Sequence, residues 1–159
     1  MSHTFTVALF GHRITTDFKR IEENLTPIIK DLIEKKPYVI FLIGRNGEFD
    51  EYAASIIKSA QHKYGIVNSE LTLVLPYMVA DIFYYQDYYD SIHLPDCVES
   101  AHPKSAITKR NRWMVERADI VIVDVEKSQG GAYTAMRYAE KLHTRVINLA
   151  DSPQKYPPR

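Results

Sequence analysis

The stretch RNRWMVERADIVIVDVEKSQGGAYTAMRYA, residues 110–139, decides the fold. A basic segment leads into Ile120-Val121-Ile122-Val123, four β-branched residues in a row. Such a run suits a strand buried on both faces. Ser128-Gln129-Gly130-Gly131 then turns the backbone with little side-chain bulk. Behind it Ala132, Ala135, Met136, Ala139 and Leu142 recur at helical spacing. A strand, a glycine turn and a helix in that order make half of a βαβ unit. The first N–H groups of a helix have no partner within it and sit at the positive end of its dipole. A glycine-fronted helix start therefore suits an anion. It also suits an ordinary tight βα turn.

The same alternation extends in both directions. Phe5 to Phe10 reads as a first strand, followed by Gly11-His12-Arg13. Phe18, Ile21, Leu25, Ile28, Ile29, Leu32 and Ile33 share one helical face, with Thr16-Asp17 as its N-cap. Tyr38 to Ile43 is a second strand, ending in the loop from Gly44 to Asp50. A helix follows, with Tyr52, Ala53, Ile56, Ile57, Ala60 and Tyr64 on its buried face and Gly65 as its stop, and Leu71 to Leu75 is a third strand. Residues 77–103 are rich in tyrosine and aspartate, with a partly helical stretch and a short strand near Ser91 to Leu94. The tyrosines suit either stacking on a base or sugar or the covering of a sheet edge or of a subunit interface. A helix from Ser105 to Arg117, the strand Asp119 to Asp124, the last helix and a strand from Thr144 to Leu149 complete the pattern.

The expected fold is α/β: a three-layer α/β/α, Rossmann-like domain with a mainly parallel, doubly wound sheet. It occupies residues 1–150, and residues 151–159 read as a flexible tail. In such sheets ligands bind outside the carboxyl ends of the strands. Topology thus brings three loops together: Gly11 to Arg13, Gly44 to Asp50 and Ser128 to Gly131.

At 159 residues the chain suits one domain with a full core. Twenty basic and twenty acidic residues cancel, so nucleic acid is not an expected partner. One cysteine, Cys97, rules out an internal disulfide framework and fits a reducing compartment. The sequence shows neither a leader nor an apolar run of membrane-spanning length, so a cytoplasmic protein without membrane contact is expected. No spacing of His, Cys and carboxylates suggests a metal.

Four motifs follow one another along nearly the whole chain. They are Gly11-His12-Arg13, the glycine loop ending in Phe49-Asp50, Arg110-Asn111 with Met114-Val115, and Gly130-Gly131 with Thr134 and Tyr138-Ala139. In this order they resemble the YpsA-like branch of the SLOG superfamily, the Rossmann-like group named for the Smf/DprA and LOG proteins. The resemblance implies a pocket for a nucleotide or nucleotide-derived ligand, used in sensing or regulation. An ADP-ribose or NAD-derived ligand fits that implication, no cofactor is required, and a homodimer is expected. LOG relatives are phosphoribohydrolases that cleave the base from a nucleoside monophosphate, and DprA relatives bind single-stranded DNA.

The ligand-binding candidates are Gly11, His12, Arg13, Gly44, Arg45, Asp50, Arg110, Asn111, Gly130, Gly131 and Thr134. Arginine suits a phosphate, and asparagine a base edge or ribose. For acid–base work the candidates are Asp50, Glu48 and His12. The bland alternatives are that Glu48 and Asp50 complement a helix dipole and that His12 fixes a loop. The chain also departs from the LOG pattern, a PGGxGTxxE loop and helix. Gln129 stands at its proline position, Tyr133 at its third glycine and Arg137 at its glutamate. A regulatory, non-catalytic interaction module is the third functional class in play.

Overall fold

The structure is a computed structural model that describes residues 3–64, 67–99 and 101–151. Gly65 and residues 152–159, the expected helix stop and tail, lie outside the described residues.

Six strands form one sheet: β1 (Thr4–Gly11), β2 (Tyr38–Ile43), β3 (Ser69–Val74), β4 (Ser91–His93), β5 (Ile120–Asp124) and β6 (Arg145–Asn148). Their spatial order is β4-β3-β2-β1-β5-β6, and every neighbouring pair is parallel. The helices are α1 (Phe18–Lys35), α2 (Glu48–Tyr64), α3 (Ile82–Tyr88), α4 (Pro103–Arg117) and α5 (Gly131–Lys141).

Strand alternation divides the core in two. Val7 and Leu9 of β1 face Ile21, Leu25, Phe41, Phe49 and Ile57 on the side of α1 and α2. Ala8 and Phe10 face Met114, Val115, Ala132, Ala135 and Ala139 on the side of α4 and α5. From Val7 to Phe10 neither face of β1 meets water, which is why the sequence there is apolar at successive positions.

Local signals explain most helix bounds. Asp17 caps α1, accepting the Arg20 N–H at 2.9 Å. Pro27 lies inside α1, where it removes one backbone donor. The helix continues through it because Ile28, Ile29, Leu32 and Ile33 remain buried beyond it. α2 starts at Glu48, inside the expected Gly44–Asp50 loop. Acidic Glu48, Asp50 and Glu51 suit its first turn, and Phe49 is fully buried. β4 and β6 are shorter than expected by a residue or two, as edge strands often are.

Phe49 locks the second loop against the first. A Cβ on Gly11 would stand 2.1 Å from the Phe49 Cγ. Gly11 therefore serves packing, because the ring occupies the space its side chain would fill. The Glu48 N–H donates to the Arg13 carbonyl at 2.8 Å, tying the same loops by backbone. Gly11→Ala should lower stability by about 1–3 kcal/mol in urea unfolding, the usual cost of overpacking a filled core. A cost below about 0.5 kcal/mol would mean that the ring moves freely.

Candidate functional site

The strand order reverses at β1. From β1 the chain runs to β2, β3 and β4 on one side, and β5 and β6 lie on the other. The carboxyl ends of β1 and β5, with Gly11 beside Asp124 in register, flank this switch point. Open α/β sheets bind ligands there.

A cavity of about 230 Å³ opens at that place. Its walls include Gly11, His12, Arg13, Gly44, Asp50, Arg110, Asn111, Gly130 and Gly131. Nine of the sequence candidates thus meet, from four separate segments. Arg45, Glu48 and Thr134 are not among its walls.

One wall is the start of α5. Gly130 takes φ 97° and ψ 173°, a region other residues enter only with strain. No atom lies within 4 Å of where its Cβ would be, so conformation and not packing requires glycine there. The Thr134 N–H closes the first helical turn on the Gly130 carbonyl at 3.0 Å. Among the described residues, the N–H groups of Gly131, Ala132 and Tyr133 have no hydrogen-bond acceptor. Bare amides at a helix start suit an anion.

The opposite wall carries charge. Arg110 is 4% exposed. Its Nη1 donates to the Val74 carbonyl at 2.8 Å, and its Nε to the Asn111 Oδ1 at 2.8 Å. Among the described residues Nη2 has no partner, so it remains available to a ligand. Burial lowers the Arg110 pKa, and the carboxylate of Asp50 opposes that shift. Arginine stays protonated regardless. Gly44 makes the approach possible: a Cβ there would fall 2.9 Å from the Arg110 Nη1 and 3.1 Å from the Asp50 Oδ2.

Asp50 is partly buried, and its Oδ2 accepts the Asn46 N–H at 3.1 Å. Burial pushes its pKa up to about 6, against the pull of Arg110 and the Asn46 N–H. A carboxyl so placed can exchange a proton near neutral pH.

The remaining candidates have structural work. His12 accepts the N–H groups of Glu126 and Lys127 at Nε2, at 3.1 and 3.2 Å. This places its proton on Nδ1 and makes it a staple for the β5–α5 loop. Glu48 accepts the Thr15 N–H at 2.9 Å. Arg13 is exposed at the rim, its Nε donating to the Asn46 carbonyl at 3.2 Å. Arg45 turns away, its guanidinium 5.4 Å from the Tyr85 ring centre in a separate cavity with Tyr84, Tyr88 and Tyr89. The Thr134 hydroxyl donates to the Gly130 carbonyl at 3.0 Å and lines a groove next to the cavity.

Sequence reading missed a buried ion pair beneath the loop. The Arg20 Nη2 donates to both Asp124 carboxylate oxygens, at 3.0 and 3.1 Å, and its Nη1 pairs with Glu126. Burial raises the Asp124 pKa, and Arg20 opposes the rise. The signal was present: an aspartate closing an apolar strand needs a cation if it is buried. Asn46, Gly47, Ile107 and Met114, also on the cavity wall, carried no comparable signal.

The solved structures similar to this one include two of one other protein. DNA processing protein A (DprA) from Streptococcus pneumoniae matches with a TM-score of 0.63 at 19% identity. The match covers 89% of this chain and 49% of that protein, so the chain spans about half its length. The chain shares the fold of DprA. The Helicobacter pylori DprA matches with a TM-score of 0.62 at 15% identity, over 97% of this chain and 67% of that one. That DprA structure is described by its single-stranded DNA binding mode. This overturns the expectation that nucleic acid is an improbable partner. Zero net charge is a sum over the whole chain and does not describe the surface at one cleft. No family model and no curated protein matches the chain. Among the described residues no helix is long and apolar enough to cross a membrane.

The Asp50 environment gives a testable pH dependence. The folded state holds the Asp50 proton more tightly than the unfolded chain, whose ordinary value is 3.8. The stability this contributes is present below about pH 4 and is lost as pH rises through about 6. Wild type should therefore lose on the order of 2 kcal/mol relative to Asp50→Asn between those limits, allowing for partial solvent access. Urea unfolding of both proteins across this range measures the difference. A constant gap would mean that Asp50 titrates as it does in water.

Proposed function

We propose that the cavity binds the phosphate of a nucleotide or nucleotide-derived ligand, in a protein of the SLOG superfamily and its YpsA-like branch. The observation that carries this reading is the meeting of unpartnered α5 amides with the buried Arg110 across one small cavity. Phosphate oxygens accept both kinds of donor, and the buried guanidinium is already positioned for them. A free nucleotide and a nucleotide within a single strand present the same group. The DprA from Helicobacter pylori, with its single-stranded DNA binding mode, supports including the second source.

A second reading has its own observation. Asp50, with a pKa of about 6, stands on the same cavity and supplies a proton-transfer group. The α5 position where LOG enzymes carry glutamate holds Arg137, whose guanidinium pairs with Glu140 at 3.2 Å. An N-glycosidic hydrolase built on this fold would thus act through α2. Sensing without turnover needs no such group and is the leading reading.

Phosphate, AMP, ADP-ribose, NAD and a 5′-phosphorylated oligonucleotide form the test panel. A ligand present at 100 times its Kd should stabilise the wild type by about 2.7 kcal/mol. Gly131→Asp places a carboxylate at the amides and should weaken binding at least ~10-fold by like-charge repulsion. Wild-type affinity in that variant would overturn the site. Release of free base by the wild type, lost in Asp50→Asn with the fold retained, would establish the hydrolase.

A further inference from the structure

The phosphate cavity is too small for what the proposed function asks of it. Its volume is about 230 Å³. Sites that enclose whole small ligands run to roughly 300–1,000 Å³. A cavity of that size leaves part of a nucleotide outside its walls.

The space for it adjoins. A groove of about 590 Å³ lies between α4 and α5 and shares Ile107, Asn111 and Gly131 with the cavity. Asn111 forms the threshold. Its Oδ1 is held by the Arg110 Nε, and its Nδ2 stands 3.6 Å from where a Gly131 Cβ would be. The groove follows α5 from Gly131 to Lys141, 11 residues and about 15 Å of helix rise.

Its chemistry is mixed in a particular order. Tyr138 lies along the wall, its hydroxyl donating to Glu116 at 2.6 Å and its ring covered by Arg112 at 5.3 Å. A fixed aromatic suits the flat face of a base or the apolar side of a sugar. Arg137 and Lys141 lie further from the cavity. Arg137 shares its charge with Glu140, while Lys141 makes no ion pair among the described residues. Cations at the far end of a track that begins on a phosphate site suit a second phosphate.

We infer that the α4–α5 groove is a second subsite, which takes the nucleoside and a further phosphate-linked unit of a ligand whose first phosphate sits on the Gly131 amides. This inference rests on the proposed phosphate site. An isolated mononucleotide would leave the far cations of the groove, Arg137 and Lys141, unused. A dinucleotide joined by pyrophosphate and a short single strand share the required chemistry, and the test separates them.

Calorimetric titrations with AMP, ADP-ribose and a 5′-phosphorylated trinucleotide decide the matter. Wild type should bind ADP-ribose or the trinucleotide more tightly than AMP. The double variant Arg137→Glu with Lys141→Glu should lose ~10-fold or more for the longer ligand and change little for AMP, because charge reversal acts where the second phosphate lies. Arg137→Lys with Lys141→Arg, which keeps both charges, should retain the preference. Loss confined to ADP-ribose identifies a pyrophosphate-linked ligand, and loss confined to the trinucleotide identifies a strand. In the second case the salt dependence should also become shallower, by about 0.7 in slope for each lost phosphate contact. Equal binding of all three ligands, unchanged in the charge-reversed protein, would overturn the groove and leave the phosphate cavity standing. Failure of wild type to bind any of the three would overturn the phosphate cavity itself and the groove with it.

Discussion

Arg110 carries a full charge to a place where 4% of its surface meets solvent, and much of the site is arranged around that charge. A buried cation is tolerated only when its donors are met and a counter-charge is near. The Val74 carbonyl at the end of β3 takes one donor, and Asn111 takes another. Asp50 supplies the opposing charge from α2, across a glycine that leaves no side chain between them. The arginine thus links β3, α2 and α4 at one end of the sheet. Its effect on Asp50 runs both ways: it stabilises the carboxylate, but burial still wins and leaves the pKa at about 6.

The loops on the other side of the cavity are held by different means. His12 binds two successive amides of the β5–α5 loop. Arg20 neutralises Asp124 directly below them. The Glu48 N–H and the Phe49 ring fasten the β2–α2 loop to the β1–α1 loop. Against this fixed surround, the first amides of α5 stand without acceptors. Donors held in place by their neighbours cost little further ordering when a ligand arrives. A cleft with this distribution of restraint holds its donors in place before any ligand arrives.

Much of this was legible in the sequence because strand burial writes itself as β-branched runs and helix burial as a 3.6-residue period. Ile120 to Val123 and the apolar face of α1 left little choice, and the parallel order followed from the alternation. The strand ends then placed Gly11, Gly44 and Gly131 together by topology alone. Side-chain direction was the part that did not read through. Arg45 sits beside Gly44 in sequence yet turns to Tyr85. Arg110 lies in a helix otherwise rich in exposed cations, and its burial is encoded only by its spacing. Ala106, Arg110 and Met114 fall at successive four-residue steps, and all three are buried. The role of Gly11 depended on Phe49, 38 positions later in the chain. Whole-chain charge misled for the same reason, since a sum carries no positions.

The placement of the titratable groups separates this cleft from the LOG pattern. There, the carboxylate follows the glycine turn on the same helix and so shares its wall with the phosphate donors. Here that helix position is Arg137, directed to Glu140 on the surface. The one carboxyl on the cavity with a pKa near neutrality is Asp50, on α2 and on the side of Arg110. A ligand phosphate entering between Arg110 and the α5 amides would bring negative charge toward Asp50 and favour its protonated form. Anion binding there would be coupled to proton uptake at Asp50.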